Sequence, residues 1–259
     1  NALYRRVLAR YVQMAASEGV AQAIFPEGGL SLDGRVGAAR LGLLSYFVAG
    51  FDPAGRDILF VPVGLGYDRV LEDRVLTEAG STGVRRFRPS LTGAVQFSVR
   101  MLWRMVRGNF PGFGATAAGF GAPVSLRAFL AEAPDAPVEA LGAALMARVA
   151  QAVPILPVPL VAAALAGGGT RVAVEARAAA LAQALHDGGA VLRLHPDGLA
   201  ATVASALLHL QRRGVIEVRV EGTDGGTLRV RAGKEPLVAF YANSVQQRLE
   251  LGGSAPQQT

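Results

Sequence analysis

The sequence predicts an α/β protein: a partial sheet flanked by helices, followed by a mainly helical second half that carries one β-hairpin. Three observations lead there. Val20 to Phe25 is an apolar run stopped by Pro26, and Ile58 to Val63 is a second continuous apolar run; short runs of this kind bounded by turn residues read as buried strands. Between them, Arg40 to Ala49 has helical spacing and stops at Gly50, a glycine stop signal. Beyond Val138 the pattern is helical until two strands, Val215–Val220 and Leu228–Ala232, joined by Glu221-Gly222-Thr223-Asp224-Gly225-Gly226, which is a hairpin turn.

In chain order, Leu3 to Glu18 sets Leu3, Val7, Leu8, Val12 and Met14 at helical spacing with Arg5, Arg6 and Arg10 between them. It reads as an amphipathic helix leading into the first strand. That strand, the helix from Arg40 and the strand Ile58–Val63 form the pattern of a parallel βαβ unit with a right-handed crossover. A continuous apolar run is expected to be buried on both faces. Pro62 has no N–H to donate, so it is expected at the strand's end or at a break in the ladder. Leu91 to Val106 reads as a helix with Arg100, Arg104 and Arg107 on one narrow face, spaced by four and three. Such a face suits anionic partners; a core helix with one charged edge is the plainer alternative.

Ala133-Pro134-Asp135-Ala136-Pro137 is the clearest linker. It divides the chain into an α/β domain, 1–132, and a helical domain, 138–259. The second domain is expected to hold helices at Val138–Val153, Leu160–Ala166 (after a proline bend), Thr170–Leu185, Leu199–Arg212 and Leu237–Leu249. Its helices followed by a hairpin resemble a winged-helix module. That raises a nucleic-acid alternative with Arg212, Arg213, Arg219, Arg229 and Arg231 as the basic set. No helix in this half clusters base-reading side chains at its amino end.

Composition narrows the chemistry. The chain of 259 residues is 51% hydrophobic, enough to bury a sizeable core. It has no cysteine, which excludes disulfides, thiol nucleophiles and thiolate metal sites. A net charge of +6 suits anionic partners, although Lys234 is the only lysine and an arginine-rich coding bias gives the same balance. Val149 to Ala166 is the most apolar run, but Pro154, Pro157 and Pro159 interrupt it, so no membrane-spanning helix is expected. No metal-ligand spacing occurs. Ser31 lacks a nucleophile-elbow sequence, while His195-Pro196-Asp197 and His186-Asp187 read as turns.

The stretch after Phe25 carries the functional signal. Phe25-Pro26-Glu27-Gly28-Gly29-Leu30-Ser31 resembles the third motif of the glycerolipid acyltransferases, F-x-E-G-x-x-S. Ile58 to Glu72, with Pro62 followed by Gly66-Tyr67-Asp68-Arg69-Val70-Leu71-Glu72, resembles their fourth. Gly119-Phe120-Gly121-Ala122-Pro123 and Glu235 to Asn243 are looser likenesses in the right order. Together the wording is similar to the bacterial glycerol-3-phosphate 1-O-acyltransferase family. The resemblance implies fatty acyl transfer from acyl-CoA or acyl-carrier protein, as co-substrate, to the first hydroxyl of glycerol 3-phosphate. No cofactor and no metal are implied. It assigns Glu27 to the acceptor's hydroxyls, Gly28 and Gly29 to loop closure, Ser31 to the loop or the phosphate, and Arg35 to the phosphate charge, with Arg40 as its helper. Pro62 and Tyr67 would shape the cleft. Arg100, Arg104 and Arg107 would meet a membrane or acyl-carrier surface, which implies a peripheral place on the cytoplasmic face of the inner membrane and no nucleic-acid partner.

Two departures from the family pattern stand out. Many members carry arginine where this chain has Leu30 and Leu32. The family's H-x-x-x-x-D is absent, since His186, His195 and His209 are followed five places on by Val191, Ala200 and Gly214. The expectation is therefore a carboxyl-terminal part of an enzyme whose general base lies upstream, with no catalytic residue in this chain. The alternatives are a non-catalytic relative that binds lipid or acyl carrier, and a basic winged-helix protein.

Overall fold

The computed structural model describes residues 2–70, 73–82, 99, 102–103, 106–107, 114–134, 138–219 and 226–253. It is a mixture of helices and small sheets, consistent with the α/β expectation at that level. Contacts divide the chain into two compact units that interleave in sequence. The first comprises Asn1–Ser31, Val36–Leu65 and Ala118–Val153; the second comprises Leu32–Arg35, Gly66–Ala117 and Pro154–Thr259. The chain thus leaves the first unit inside one strand and re-enters it inside another.

In the first unit, α1 (Ala2–Ser17) packs on α2 (Gly42–Ala49). The expected strand Val20–Phe25 is not formed. The segment has no regular secondary structure and joins no ladder, and Val20 and Phe25 are 58% and 80% exposed. Apolar, β-branched composition makes a strand only where a neighbour takes up its N–H and C=O groups. The parallel βαβ unit therefore does not arise. Instead β1 (Leu59–Phe60) pairs antiparallel with β4 (Val124–Ser125), Leu59 opposite Ser125 and Phe60 opposite Val124. Asp57 fixes this corner: its carboxylate accepts from the Ile58 and Arg127 N–H groups at 2.8 and 3.1 Å and from the Ser125 hydroxyl at 2.6 Å. Ser125 in turn caps α4 (Leu126–Glu132), accepting from the Ala128 N–H at 3.0 Å. The core of this unit is Leu44, Val124, Leu126, Leu141 and Leu145, to which α5 (Val138–Ala152) contributes the last two.

Pro62 breaks the ladder as its missing donor requires, separating β1 from β2 (Val63–Tyr67). β2 is hydrogen-bonded to β3 (Thr116–Phe120). The expectation of burial on both faces fails for this stretch: Leu59, Val61, Val63 and Leu65 face solvent while Pro62 and Gly64 are buried. The glycines of the Gly64-Leu65-Gly66 sequence have a packing reason. A Cβ on Gly64 would stand 2.4 Å from the Val153 nitrogen, and one on Gly66 would stand 2.5 Å from the Pro154 carbonyl oxygen.

The second unit is helical around a small sheet. It contains α3 (Asp73–Thr82), α6 (Pro157–Ala164), β5 (Gly169–Thr170), α7 (Arg171–Asp187), α8 (Leu199–Arg212), β6 (Ile216–Arg219), β7 (Thr227–Val230) and α9 (Glu235–Gly253). The two strands of the expected hairpin pair antiparallel, Val218 opposite Leu228, with residues 220–225 between them outside the described residues, and β5 joins as a third antiparallel strand in the order β5-β7-β6. Helix α6 starts three residues earlier than its apolar run suggested. Pro157 is its first residue, a position whose N–H has no intrahelical acceptor, so proline is tolerated there. His186 lies in the last turn of α7 rather than in a turn. Val158, Val161, Val174, Val203, Leu210, Ile216 and Leu237 form the main core, with α9 packed extensively on α6. Among the described residues no helix is long and apolar enough to cross a membrane.

Candidate functional site

The loop after Phe25 is held by its own backbone and by one carboxylate. The Gly28 N–H donates to the Phe25 carbonyl at 3.0 Å, and the Arg40 N–H to the Pro26 carbonyl at 2.7 Å. Glu27 Oε1 accepts from the Gly37 N–H at 2.7 Å, which ties the loop to the segment entering α2. Gly28 sits at φ +64°, and a Cβ there would come within 2.6 Å of Arg40 Cδ. Only a glycine both adopts this conformation readily and leaves room for the arginine stem to lie across the loop.

That stem borders a hollow of about 350 Å³ within the first unit. Tyr4, Arg5, Phe25, Gly28, Arg40 and Tyr46 line it, with Leu8, Ile24, Leu43 and Leu44 as apolar wall. The volume is within the range of small-molecule sites. Arg5 and Arg40 make no ion pair among the described residues, so the hollow carries two guanidiniums whose charge no carboxylate neutralises. An anion of a few atoms suits it, since guanidinium presents its donors as a fork that matches phosphate or carboxylate. Among the described residues no group of three or more His, Cys, Asp or Glu side chains is placed to hold a metal ion.

The other residues singled out in the sequence lie as follows. Gly29 is exposed and Ser31 half-buried. Arg35 belongs to the second unit, where its Nη1 and Nη2 donate to Glu250 at 2.8 and 2.9 Å. This pairing raises the arginine's pKa and lowers that of Glu250, with the hydrogen bond as the main cause for both. The guanidinium expected to meet a phosphate is thus already matched by a carboxylate of α9. Pro62 is buried and its carbonyl accepts from the Gly121 N–H at 2.9 Å; Tyr67 is exposed. The Arg107 guanidinium stacks 3.7 Å over the Trp103 ring, while Arg100 and Arg104 lie outside the described residues. The basic set of the nucleic-acid alternative is not one free surface. Arg213 is buried in an ion pair with Asp73, and Arg231 is 3.6 Å from Glu217.

Comparison with known proteins bears on the family to which the chain is similar. A family model described as the glycerol-3-phosphate acyltransferase C-terminal region matches residues 98–249, and the chain belongs to that family. A glycerol-3-phosphate acyltransferase of Pseudomonas fluorescens is 34% identical over 146 residues, 55% of this chain and 16% of its own length. One from Pseudomonas aeruginosa is 34% identical over 133 residues, 50% of this chain and 15% of its own. The human mitochondrial glycerol-3-phosphate acyltransferase 1 is 31% identical over 142 residues, 54% of this chain and 16% of its own. The matched stretch is thus about one-sixth of each relative.

From sequence, Arg5 and Arg6 could face a phosphate, with a solvated helix face as the plainer reading; nothing in their spacing marked Arg5 as a neighbour of Gly28. The buried cluster Asp73, Arg213 and Tyr241 joins residues separated by 140 and 168 positions, and no local signal announces such a pairing.

Proposed function

We propose that this chain serves the transfer of a fatty acyl group to the first hydroxyl of glycerol 3-phosphate, and that its first unit holds the acceptor. The single observation that carries this is the pair of guanidiniums, Arg5 and Arg40, that border the hollow at Gly28 in the Glu-Gly-Gly loop and make no ion pair among the described residues. Arg40 and Arg5 take the phosphate. Glu27, with one oxygen spent on the Gly37 N–H, offers the other to the glycerol hydroxyls. Arg35, held by Glu250, plays no part in phosphate binding. The base that deprotonates the attacking hydroxyl is assigned to no residue here, since no histidine is followed five places on by aspartate. Acyl-CoA or acyl-carrier protein is the donor, no cofactor is needed, and the protein works peripherally at the cytoplasmic face of the inner membrane.

Titration of glycerol 3-phosphate and of glycerol into the chain tests the site. The phosphate ester binds and glycerol does not. Arg40→Ala and Arg5→Ala each weaken binding at least tenfold, whereas Arg35→Ala leaves it within twofold. Binding by Arg40→Ala equal to the parent's would overturn the assignment.

A further inference from the structure

The second unit contains a larger hollow, about 510 Å³, away from the Glu-Gly-Gly loop; Asp68, from the stretch that resembles the family's fourth motif, is among its lining residues. Its walls come from four parts of that unit: the start of β3, the first turn of α6, the segment 193–195, and one side of α8. Leu156, Val158, Leu194 and Ala206 supply apolar surface, and Arg193, His195 and His209 supply basic groups. The acid there, Asp68, is 7% exposed, and both of its oxygens are engaged: Oδ1 by the Val158 N–H at 2.9 Å and Oδ2 by the Ala115 N–H at 3.0 Å. Burial raises its pKa, and the two N–H donors only partly oppose that. Asp68 is therefore held by these two N–H groups, the Val158 one at the start of α6, and it makes no ion pair with an arginine among the described residues.

Arg193 makes no ion pair among the described residues, although its backbone N–H is tied to the Ile155 carbonyl at 2.9 Å. His195 is anchored twice. Its backbone N–H donates to the Thr202 hydroxyl at 2.8 Å, and its Nδ1 accepts from the Asp197 N–H at 3.2 Å. Neutral His195 therefore carries its proton on Nε2, a donor. The exposed Asp197 carboxylate lies 3.5 Å from Nδ1, on the other side of the ring. A concave, mainly apolar wall with one guanidinium and a neighbouring imidazole donor is the make-up of a site for a molecule with a charged end and a hydrocarbon end.

We propose that this hollow binds a small anionic amphiphile, its carboxylate or phosphate head at Arg193 and His195 and its alkyl part against Leu156, Val158, Leu194 and Ala206. The inference does not rest on the acceptor site of the first unit, and each can fail without the other.

The chain has three histidines, and His186 does not line the hollow, so the imidazole proton NMR signals contain their own control. Octanoate, octyl phosphate, octanol, octyltrimethylammonium and inorganic phosphate are titrated separately. The expected result is saturable movement of the His195 and His209 signals, with His186 still, for octanoate or octyl phosphate. The tighter of the two names the head group. Arg193→Ala weakens that binding at least tenfold. Ser205→Phe, on the exposed side of α8 at the hollow, abolishes it while circular dichroism and the melting temperature stay those of the parent. Arg229→Ala, on the hairpin, leaves it unchanged. The proposal is overturned if His186 moves with the others, if Arg193→Ala binds as the parent does, or if octanol, octyltrimethylammonium or inorganic phosphate binds as tightly as the octyl anions.

Discussion

Tyr241→Phe removes one oxygen from a buried cluster and changes almost nothing in volume. The Tyr241 hydroxyl donates to Asp73 Oδ2 at 2.6 Å, accepts from the Val70 N–H at 3.1 Å, and meets Arg213 Nη1 at 3.3 Å. Arg213 also pairs with Asp73 through Nη2, and Tyr241 and Asp73 are 3% and 2% exposed. Without the hydroxyl, the Val70 amide has no acceptor from this group, and the carboxylate loses a donor. A buried group left unpaired costs about 1–3 kcal/mol, and a hydrogen bond to a charged group contributes about 1.5–3 kcal/mol. The loss should therefore be about 3–5 kcal/mol, read as a lower urea midpoint with the slope unchanged. The same cluster adds an alkaline signature. Burial, reinforced by Asp73 and opposed by Arg213, pushes the phenol from 10.0 up to about 12. A hydroxyl whose pKa is raised on folding contributes stability that is complete below pH 10 and disappears as the pH climbs through about 12. That shift corresponds to about 3 kcal/mol, and the alkaline loss should shrink by that amount in Tyr241→Phe. A midpoint change worth less than about 0.5 kcal/mol, or identical alkaline profiles for the two proteins, would refute the account.

Gly34→Ala should be more damaging than an ordinary loop substitution. Gly34 has φ +84°, and an added Cβ would lie 1.8 Å from the Phe240 carbonyl oxygen, so a loss of at least about 3 kcal/mol is expected from thermal unfolding. A melting temperature within a degree of the parent's would contradict that. Asp57→Ala removes an acceptor shared by Ser125, Ile58 and Arg127 and should cost about 1–3 kcal/mol, measured by urea unfolding; an unchanged midpoint would sink it. Burial opposes ionisation of Asp57, but the Ser125, Arg127 and Ile58 donors win and hold its pKa below the ordinary 3.8. Its contribution is therefore present above pH 3.8 and fades as the pH falls below that value, so the difference between parent and variant should narrow in acid. In a full-length enzyme of this family carrying this segment, Arg40→Ala should raise the acceptor KM at least tenfold and leave the donor KM within twofold; steady-state kinetics with both substrates varied decides it.

The helices were legible wherever apolar spacing and a stop signal agreed. Leu199–Arg212 was readable to both ends because its apolar stripe stops against Arg213 and Gly214, and the hairpin because a glycine turn separates two alternating runs. Val20–Phe25 misled because strand composition is local while strand formation needs a partner, and no residue in the run says whether one exists. The loop was legible as a tight turn by its glycines, and its assignment to binding came from the family resemblance alone. The pairing of Arg35 was not legible, because its carboxylate partner lies 215 positions away in α9. Long-range ion pairing leaves no trace in the spacing of either segment.

The bare side of β2 sets a rule for the strand that carries it. With Gly64 against the Val153 backbone and Gly66 against the Pro154 carbonyl, sliding the ladder by one place would drive Val63, Leu65 or Tyr67 into main-chain atoms that cannot yield. Strand slippage is usually discouraged by putting greasy groups into water. Here it is forbidden by collision, and a misaligned Pro62–Asp68 segment would be rejected during folding before any gain in buried area could reward it.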